Sequence, residues 1–496
     1  MFAGESPRLS QLLASPAALE TARAAKIEDV EVLNPELLFP GMLNPRALGP
    51  DPLRQTSLPA PKARGRLRAP LLSFEGVISK DNADLIRKRP VPPDANGDVS
   101  PDHYIQMTNN VTKIFDKDNG ELVAGPFPNN LFFAGTGSFC EEKNDGDPIV
   151  LYDHQAKRWI FTQLAFRGRD RHGHQCFAIS QTRDPLGAYF LYEFVTAISI
   201  AGGDALNDYG KLGVWPDGLY YSHNEFELDG EQVLRFAAVA IAFDKKAMYA
   251  GDPDVRGIKF VEDSTTGPFT ISLLPTHWEG KKKPRAGAPN LFWQALDEQI
   301  LGDGTGVDGY RSWAFHADFK NPTLSTFIEQ PRITAPAYNL ALACDRNCFD
   351  QPPPGSVAAG NGLDEVGVRL MYRAQLRSFG GYESVVLNHT VNADGQGTGG
   401  IRWVELRDDG SGFRLFQTGT LAPADGNHRF MGSIAQDRRG NIALGYSVTG
   451  LETTPRCATR GAAPTIRRGR CRPSWSVRPA KASRCGAPIA GAIIPR

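Results

Sequence analysis

Short apolar segments separated by polar turns recur from residue 71 to residue 452, and they constrain the fold of this chain most. "PIVLYDHQAKRWIFTQLA" (148–165) has the order strand, polar turn, strand, and "MGSIAQDRRGNIALGYS" (431–447) repeats it. "DKDNGEL" (116–122) places Asn-Gly at a hairpin turn, where these residues supply the left-handed backbone positions. No long stretch has the 3.6-residue apolar period of a helix, and β/α alternation is absent. The sequence therefore predicts an all-β protein.

The spacing of the strand pairs favours one architecture within the all-β class. An apolar strand, an Asp, two or three polar residues and a second apolar strand occur at 149–163 and 433–447, and more loosely at 213–222. Propeller blades have four strands and repeat about every 40–50 residues. We therefore predict that residues 71–452 form a β-propeller of six to eight blades, with seven favoured. A pair of β-sandwiches is the alternative.

Composition is typical of a globular protein, with 41% hydrophobic and 22% charged residues among 496. No apolar run reaches the length that spans a bilayer, so no membrane span is expected. The chain is formally neutral, but Thr453–Arg496 contains nine Arg, one Lys and no acid. Such a tail is typical of an arm that binds nucleic acid or a membrane. The mixture of Arg with Ala, Pro, Gly and Cys is also typical of GC-rich DNA read out of frame.

The codon table permits a shifted reading of this tail. If the third base of each codon is read with the next two bases, Thr453 through Cys471 permits "YPSLRYTGRRADDPPGTL". The segment from Ile489 through Pro495 permits "RWGDYS". The first string, with its Tyr residues, paired acids and Pro-Pro-Gly turn, is typical of a β-protein. We interpret 453–496 as an out-of-frame, disordered tail after a one-base slip near Glu452, which leaves the last blade incomplete. A genuine basic tail is the alternative, and we expect no nucleic-acid partner.

Residues 1–70 are rich in Ala, Leu and Pro, which predicts a largely irregular leader with one short helix within 9–26. No basic segment followed by an apolar one marks a signal peptide. The protein is then either cytosolic or preceded by residues upstream of the given start. The four cysteines before the tail permit two disulfides, and the Cys-x-x-x-Cys pair has no second zinc-binding pair nearby. We favour disulfides and an extracellular or cell-surface location. These cysteines are Cys140, Cys176, Cys344 and Cys348.

Several phrases together resemble a family of large exported bacterial β-propeller proteins. The resemblance covers roughly residues 70–450, and that family continues with a Tyr-Pro-Ser segment and then "RWGDYS", as in the shifted reading. It implies a propeller of seven or a similar number of blades, and it implies no reaction. The phrases include "PPDANGDVSPDHYIQMTN" (92–109), "NDGDPIVLYDHQAKRWIFTQ" (144–163), "DYGKLGVWPDGLYYSHNEF" (208–226) and "HRFMGSIAQDRRGNIALGYSVTG" (428–450).

Two groups of residues are candidate metal ligands. Asp94, Asn96 and Asp98 alternate as do the first oxygen ligands of a Ca²⁺ loop, although the twelfth place, Ile105, lacks the expected Glu. An Asx turn that leads into a strand is the alternative. His172 and His174 can share one face of a strand and bind a metal, but the surrounding charges favour a solvated loop. Calcium is therefore the one cofactor that the sequence offers.

Two further groups are candidate ligand-binding residues. Tyr209, Trp215, Tyr221 and His223 can stack on a sugar or peptide if they line the channel mouth, whereas packing between blades is the alternative. Four arginines are similar to those with which sialidase-type propellers hold a carboxylate, but the Asp-box pattern is absent and pairing with surface acids is favoured. These arginines are Arg369, Arg373, Arg402 and Arg407.

Two functions are compatible with this sequence. The first is an exported binding or scaffold protein that contacts a glycan or a protein. The alternative is a glycan-active hydrolase or lyase with carboxylates at the channel mouth. Propellers host both functions, so the fold alone does not decide. Paired acids with a raised pKa on one of them would indicate the enzyme, and exposed aromatic side chains without paired acids would indicate a binding protein.

Overall fold

The computed structural model of the protein describes residues 1–27, 49–57, 71–167, 170–230, 232–264, 269–301, 305–340, 348–463 and 474–478. Strands dominate these ranges, as predicted. The helices in them are short, and none is long and apolar enough to cross a membrane. They are α1 (Leu9–Leu13), α2 (Pro16–Arg23), α3 (Ser79–Ile86), α4 (Phe139–Glu142), α5 (Lys245–Ala250), α6 (Glu298–Leu301) and the 3₁₀ turns Asn129–Phe133 and Pro322–Leu324.

Within the described ranges, the strands form six antiparallel meanders of four strands each, which we number as blades 1 to 6. Blade 1 contains β3 (Asn96–Val99), β4 (His103–Thr108), β5 (Val111–Asp116) and β6 (Leu122–Pro128); blade 2 contains β7 (Gly146–Asp153), β8 (Arg158–Ala165), β9 (Gly173–Ser180) and β10 (Tyr189–Ala197); blade 3 contains β11 (Asp204–Val214), β12 (Gly218–Asp229), β13 (Gln232–Asp244) and β14 (Gly257–Asp263). Blade 4 contains β15 (Leu274–Trp278), β16 (Asn290–Leu296), β17 (Gly309–His316) and β18 (Thr326–Glu329); blade 5 contains β20 (Ala374–Ser378), β21 (Glu383–Asn392), β22 (Gly399–Asp408) and β23 (Arg414–Leu421); blade 6 contains β24 (Asn427–Gln436), β25 (Ile442–Gly450), β26 (Thr453–Ala463) and β27 (Ser474–Arg478). Three short strands add to these sheets: β1 (Phe2–Glu5), β2 (Arg54–Gln55) and β19 (Ile333–Thr334).

The first strand of each blade lies beside the first strand of the next, from β3 through β24. Side-chain acceptors join most of these neighbours: Val150 N donates to Asn96 Oδ1 (3.0 Å), and Tyr152 N donates to Asp98 Oδ2 (2.9 Å). The strands β15 and β20 instead pair directly and in parallel. This arrangement of small sheets is a β-propeller, as predicted. The described residues contain six blades, whereas seven were favoured.

Apolar side chains fill the spaces between adjacent blades. One core cluster combines residues of blades 2 and 3, and the ring of Phe177 meets its neighbours edge to face, as aromatic pairs prefer. Phe177 of β9 lies 6.2 Å from Tyr221 of β12 and 5.3 Å from Phe243 of β13, measured between ring centroids. Other clusters join blades 1 and 2, blades 3 to 5, and blades 5 and 6. Alternating apolar residues therefore stabilise the contacts between sheets as well as each sheet.

The described part of the leader contains short helices and strands that contact the propeller, whereas the expectation of a largely irregular leader also concerns residues outside the described ranges. β1 pairs with the outer strand β10, and β2 pairs with β23. The single helix expected within 9–26 is split into α1 and α2, because Ser15 caps the second helix and Pro16 begins it. Leader strands occupy the outer edges of two blades, where unpaired backbone groups would otherwise remain.

A buried ion pair anchors the second part of the leader. Asp51 Oδ2 accepts hydrogen bonds from Arg402 Nη2 and from Thr420 Oγ1, both at 2.7 Å. The side chains of Asp51 and Arg402 are both 0% exposed. The removal of one partner would leave the other charge buried without compensation.

The beginning of the basic tail forms strands, which corrects the expectation of disorder there. β26 pairs with β25, and β27 pairs with β26, so blade 6 has four strands instead of being incomplete. Arg460 of β26 is only 1% exposed, and its Nε and Nη2 atoms have no hydrogen-bond partner within the described residues. Burial lowers the pKa of this arginine to about 10. The one-base slip near Glu452 stays a prediction.

We predict that Asp51→Asn lowers the free energy of unfolding by about 3–5 kcal/mol, because it leaves the Arg402 charge unpaired in the core. Chemical denaturation measures the change. The matched control is Asp84→Asn, which removes an exposed pair with Lys80 and should change stability by less than about 1 kcal/mol. A loss below about 1 kcal/mol for Asp51→Asn would show that the leader is not anchored in this way.

We predict that Arg460→Met raises the free energy of unfolding, whereas Asp51→Asn lowers it. The unbranched apolar side chain of Met removes the unpartnered buried charge, so the free energy of unfolding should rise by about 1–3 kcal/mol. Denaturation curves of the two proteins measure this difference. Arg456→Met on the same strand is the control, because Arg456 is exposed and its replacement should have little effect. An unchanged or lowered stability for Arg460→Met would contradict the prediction.

Candidate functional site

Three aspartates lie in, or just before, the first strands of blades 1 to 3. Asp94 precedes β3, Asp147 is the second residue of β7, and Asp208 lies within β11. These first strands lie side by side, so the three carboxylates meet at one end of the inner ring of strands. Tyr209, Lys211 and Arg369 lie with them. We call these six residues the carboxylate cluster.

The backbone at the cluster is held in left-handed conformations that turn the side chains towards one another. The φ angles are 40° at Asp94, 47° at Asp147 and 57° at Tyr209. Left-handed backbone is tolerated by Asp but is uncommon for a residue as bulky as Tyr. The strand registers of β7 and β11 are also irregular at these points, as at β-bulges near active sites. The sequence therefore concentrates local backbone strain at this cluster.

Hydrogen bonds between blades compensate this strain. Asp147 N donates to Asn109 Oδ1, and Tyr209 N donates to Asp147 Oδ2, both at 2.9 Å. Asn109 also donates from Nδ2 to Asp94 Oδ2 (2.6 Å). Each bond joins one blade to the next or fixes a carboxylate. The same contacts therefore position the side chains and connect the blades.

Asp94 and Asp147 form a carboxyl pair that shares a hydrogen bond. Two carboxylates in contact cannot both ionise easily, so one of them keeps a proton. Burial and, next, the charge of Asp147 raise the pKa of Asp94 to about 8, although the hydrogen bond from Asn109 opposes this shift. Asp94 is therefore protonated at neutral pH and can donate its proton.

Asp208 has a pKa close to neutrality. Burial and, next, the charge of Asp147 raise the pKa of Asp208 to about 7, while Arg369 and Lys211 act against the shift. A carboxyl group with this pKa can accept a proton near neutral pH with little penalty. The cluster thus combines a proton donor and a proton acceptor.

Two cations flank the ring of Tyr209. Lys211 Nζ lies 3.4 Å from the ring centroid, and Arg369 Cζ lies 4.6 Å from it, both within cation–π distance. Burial lowers the pKa of Lys211 to about 8, and the three aspartates act in the opposite direction. Burial also raises the pKa of the Tyr209 hydroxyl, which donates to Leu370 O (3.3 Å). Tyr209 therefore acts as a platform for the cations.

The cluster combines a desolvated environment with access from solvent. Asp94, Asp147, Asp208, Tyr209 and Lys211 all keep intermediate solvent exposure, although burial is the largest cause of every pKa shift described for the cluster. Arg369 is only 6% exposed. A small polar group can reach such acids while most water is excluded. Electrostatic interactions are strong in that setting.

The structure separates the residues of the predicted calcium loop. Asn96 and Asp98 accept hydrogen bonds from the β7 backbone, and Asp98 also pairs with Arg373 at 3.3 Å. Asp94 alone belongs to the carboxylate cluster. Among the described residues, no group of three or more His, Cys, Asp or Glu side chains has a metal-binding arrangement. The three residues therefore serve contacts between blades and the acid pair.

Of the four predicted ligand-binding residues, only Tyr209 lies in the cluster. Trp215, Tyr221 and His223 are at most 3% exposed, which corrects the expectation that they line the channel mouth. Trp215 Nε1 donates to Ala288 O (3.1 Å), and the Tyr221 hydroxyl donates to Gln175 Oε1 (2.7 Å). These three residues therefore pack between blades, which is the alternative given in the sequence analysis.

The two candidate metal-binding histidines do not face a common site. His174 lies in β9, with Nδ1 2.9 Å from Glu193 Oε1 and Nε2 3.2 Å from Asp170 Oδ1. His172 accepts a hydrogen bond from Ser199 N (3.1 Å). Each ring is therefore held by its own partners.

Three of the four candidate arginines pair with acids, as favoured above. Arg373 lies 3.3 Å from Glu279, Arg402 pairs with Asp51, and Arg407 lies 2.6 Å from Glu405. The Arg402 pair is buried rather than on the surface. Only Arg369 contributes to the cluster.

One predicted disulfide is confirmed. Cys140 of α4 and Cys176 of β9 are bonded, which links the segment before blade 2 to its third strand. Cys348 is also disulfide-bonded, whereas Cys344 lies outside the described residues.

The sequence prediction missed Asp147, Asp208 and Lys211 as site residues. All three stand in the segments "NDGDPIVLYD" and "DYGKLG", which carry the family resemblance but in which only Tyr209 is predicted as a site residue. A usable signal is the recurrence of an Asp in, or just before, the first strand of three consecutive blades. This recurrence can be recognised only when the first strand of each blade is known.

No family model and no curated protein matches this chain. Among solved structures, the chain is similar to an endo-arabinase from Bacteroides thetaiotaomicron, with 10% identity, 63% of this chain and 92% of that chain covered, and a TM-score of 0.27. It is similar to an exo-1,5-α-L-arabinanase from a bovine ruminal metagenomic library, with 10% identity, 65% and 96% covered, and a TM-score of 0.30. It is also similar to a putative oxidoreductase (glucose dehydrogenase) from Thermus thermophilus, with 10% identity, 74% and 95% covered, and a TM-score of 0.32.

We predict that His174 makes stability depend on pH. Burial lowers the pKa of His174, but its hydrogen bonds to Glu193 and Asp170 outweigh burial and raise the pKa above its usual value. In the unfolded chain the pKa of this histidine is about 6.5, so below that pH the charged ring contributes its full stabilisation to the fold. The contribution is lost as pH rises through the higher pKa that His174 has in the folded protein.

Denaturation curves from pH 5 to 9 for the wild type and His174→Gln test this prediction. The difference in free energy of unfolding between the two proteins should shrink as pH rises. The burial of His277 lowers its pKa, so His277→Gln serves as the control and should show the opposite trend. A difference that is independent of pH for His174→Gln would contradict the prediction.

Proposed function

We propose that this protein is a glycan-active enzyme that hydrolyses a glycosidic bond, with Asp94 as general acid and Asp208 as general base. One observation carries the proposal: aspartates from three consecutive blades meet at a partly open site, where burial and the charge of Asp147 raise the pKa of Asp94 to about 8 and that of Asp208 to about 7. Two carboxyl groups with different protonation states are the usual requirement for glycoside hydrolysis.

The residues of the cluster support a balanced reaction. Asp94 donates its proton to the glycosidic oxygen as the bond from that oxygen to the anomeric carbon breaks. A water molecule adds to the anomeric carbon, and Asp208 accepts the proton that this water loses. Asp147 lies beside Asp94, and its charge and side-chain hydrogen bond favour the protonated form of Asp94 before the reaction. One glycosidic bond and one water molecule thus yield two saccharides.

The same geometry weighs against a protein that only binds glycans. Paired acids with raised pKa values are the feature expected of the enzyme, and the candidate stacking residues Trp215, Tyr221 and His223 are buried. Export to an oxidising compartment is part of the proposal, and the Cys140–Cys176 disulfide supports it.

The test begins with release of reducing ends from a panel of soluble neutral and acidic polysaccharides. We expect Asp94→Asn and Asp208→Asn to lower kcat/KM at least about 100-fold, because each amide cannot transfer the proton that its carboxyl group does. Asp118→Asn, an exposed aspartate on a hairpin turn, is the matched control and should retain wild-type activity. Full activity in Asp94→Asn or Asp208→Asn would overturn the proposed roles.

The pKa values also predict a bell-shaped pH profile for kcat/KM. Activity should rise as Asp208 loses its proton near pH 7, and it should fall as Asp94 loses its proton near pH 8. Because Lys211 and Arg369 hold down the pKa of Asp208, Lys211→Met should move the acidic limb to higher pH. A flat profile between pH 5 and 9 would contradict this assignment.

A further inference from the structure

Arg369 is a buried cation with unused donors. Its Nε donates to Gly367 O (3.1 Å), and the residue is only 6% exposed. Within the part of the chain that the structure describes, Nη1 and Nη2 make no hydrogen bond, and no carboxylate oxygen lies within 4 Å of the guanidinium. An unpaired buried charge is costly unless a partner completes it. The guanidinium fork fits a carboxylate, which it can bind through two parallel hydrogen bonds.

Lys211 is a second cation beside the ring of Tyr209. Its Nζ donates to Gly210 O (2.9 Å) and lies over the ring of Tyr209, which Arg369 also contacts. Among the described residues, it forms no ion pair within 4 Å. Cations that served only to neutralise the three aspartates would be expected in direct contact with them. These two instead interact with the aspartates at longer range.

We propose that the substrate is an acidic glycan, whose uronate carboxylate is bound by Arg369 and Lys211 beside the Asp94–Asp147 pair. This inference rests on the proposed function. The two cations offset the repulsion between a substrate carboxylate and the aspartates, and the proton on Asp94 reduces it further. Tyr209 acts as a positioning residue, because its ring lies against both cations and its left-handed backbone is fixed by Asp147.

Binding of monosaccharides tests the recognition without requiring catalysis. Isothermal titration calorimetry of the full chain at pH 7 compares glucuronate and galacturonate with glucose and galactose. We expect at least 10-fold tighter binding of the two uronates. Arg369→Met and Lys211→Met should each weaken uronate binding at least 10-fold, whereas Arg256→Met, which replaces an exposed arginine, should bind as the wild type does. Circular dichroism verifies that each variant is folded.

Arg369→Lys provides a second variant in case Arg369→Met does not fold. It keeps the charge but loses the guanidinium fork, so uronate binding should weaken and still exceed binding of the neutral sugars. Equal affinity of the wild type for uronates and neutral sugars would overturn the inference. Uronate binding that is unchanged in a folded Arg369 variant would also overturn it.

A matched pair of polymers separates this inference from the proposed function. Polygalacturonate and its carboxyl-reduced form differ in the uronate carboxylate, and we expect at least 10-fold higher kcat/KM for the acidic polymer. Cleavage of neutral polysaccharides alone would overturn the inference and leave the proposed hydrolysis intact. Uronate binding that depends on Arg369, without cleavage of any polymer in the panel, would support the recognition of a uronate carboxylate and overturn the hydrolysis.

Discussion

The fold depends on side-chain oxygens that accept hydrogen bonds from the first strand of a neighbouring blade. A first strand pairs with the second strand of its own sheet, and its other edge would leave buried backbone N–H groups without partners. Asn96, Asp98 and Asn109 of blade 1 accept from β7, and Asp147 of blade 2 accepts from β11. Gln375 accepts from Gln436 N at 2.5 Å between blades 5 and 6. These polar contacts complement the aromatic packing between the sheets.

The carboxylate cluster is built from the same contacts. Asn109 holds Asp94 and the backbone of Asp147, and Asp147 in turn holds Asp94 and the backbone of Tyr209. Substitution of Asn109 or Asp147 would therefore disturb the connection of blades 1 to 3 together with the acid pair. Local strain is tolerated here because the joined blades fix the backbone more firmly than a free turn would. The candidate chemistry thus uses rigidity that the fold already requires.

The sequence predicted much of the fold, because strand periodicity and turn residues are local properties. The hairpin at Asp118–Gly120 and the strand pair at 148–165 needed no knowledge of distant residues. The anchoring of Asp51 by Arg402 and the pairing of β1 with β10 join positions far apart in the chain, and no local pattern indicates them. The basic tail shows the converse case. Its composition indicates disorder, but the exposed edge of β25 is paired by Thr453–Ala463 at the cost of burying Arg460.

The candidate site was harder to predict because its chemistry comes from the environment of the residues rather than from their identity. Asp94 and Asp98 look equivalent in "DANGDVSPD", yet Asp94 contacts a second acid and keeps a proton, whereas Asp98 faces Arg373 and the backbone of β7. The sequence predicts a binding role for the aromatic residues around Trp215, but their large apolar surface is more stable when it is buried between sheets than when it is exposed. Tyr209 differs from them because a left-handed backbone turns it out of the strand pattern towards Lys211 and Arg369. One backbone conformation therefore separates a residue of the carboxylate cluster from the buried core residues within a single aromatic segment.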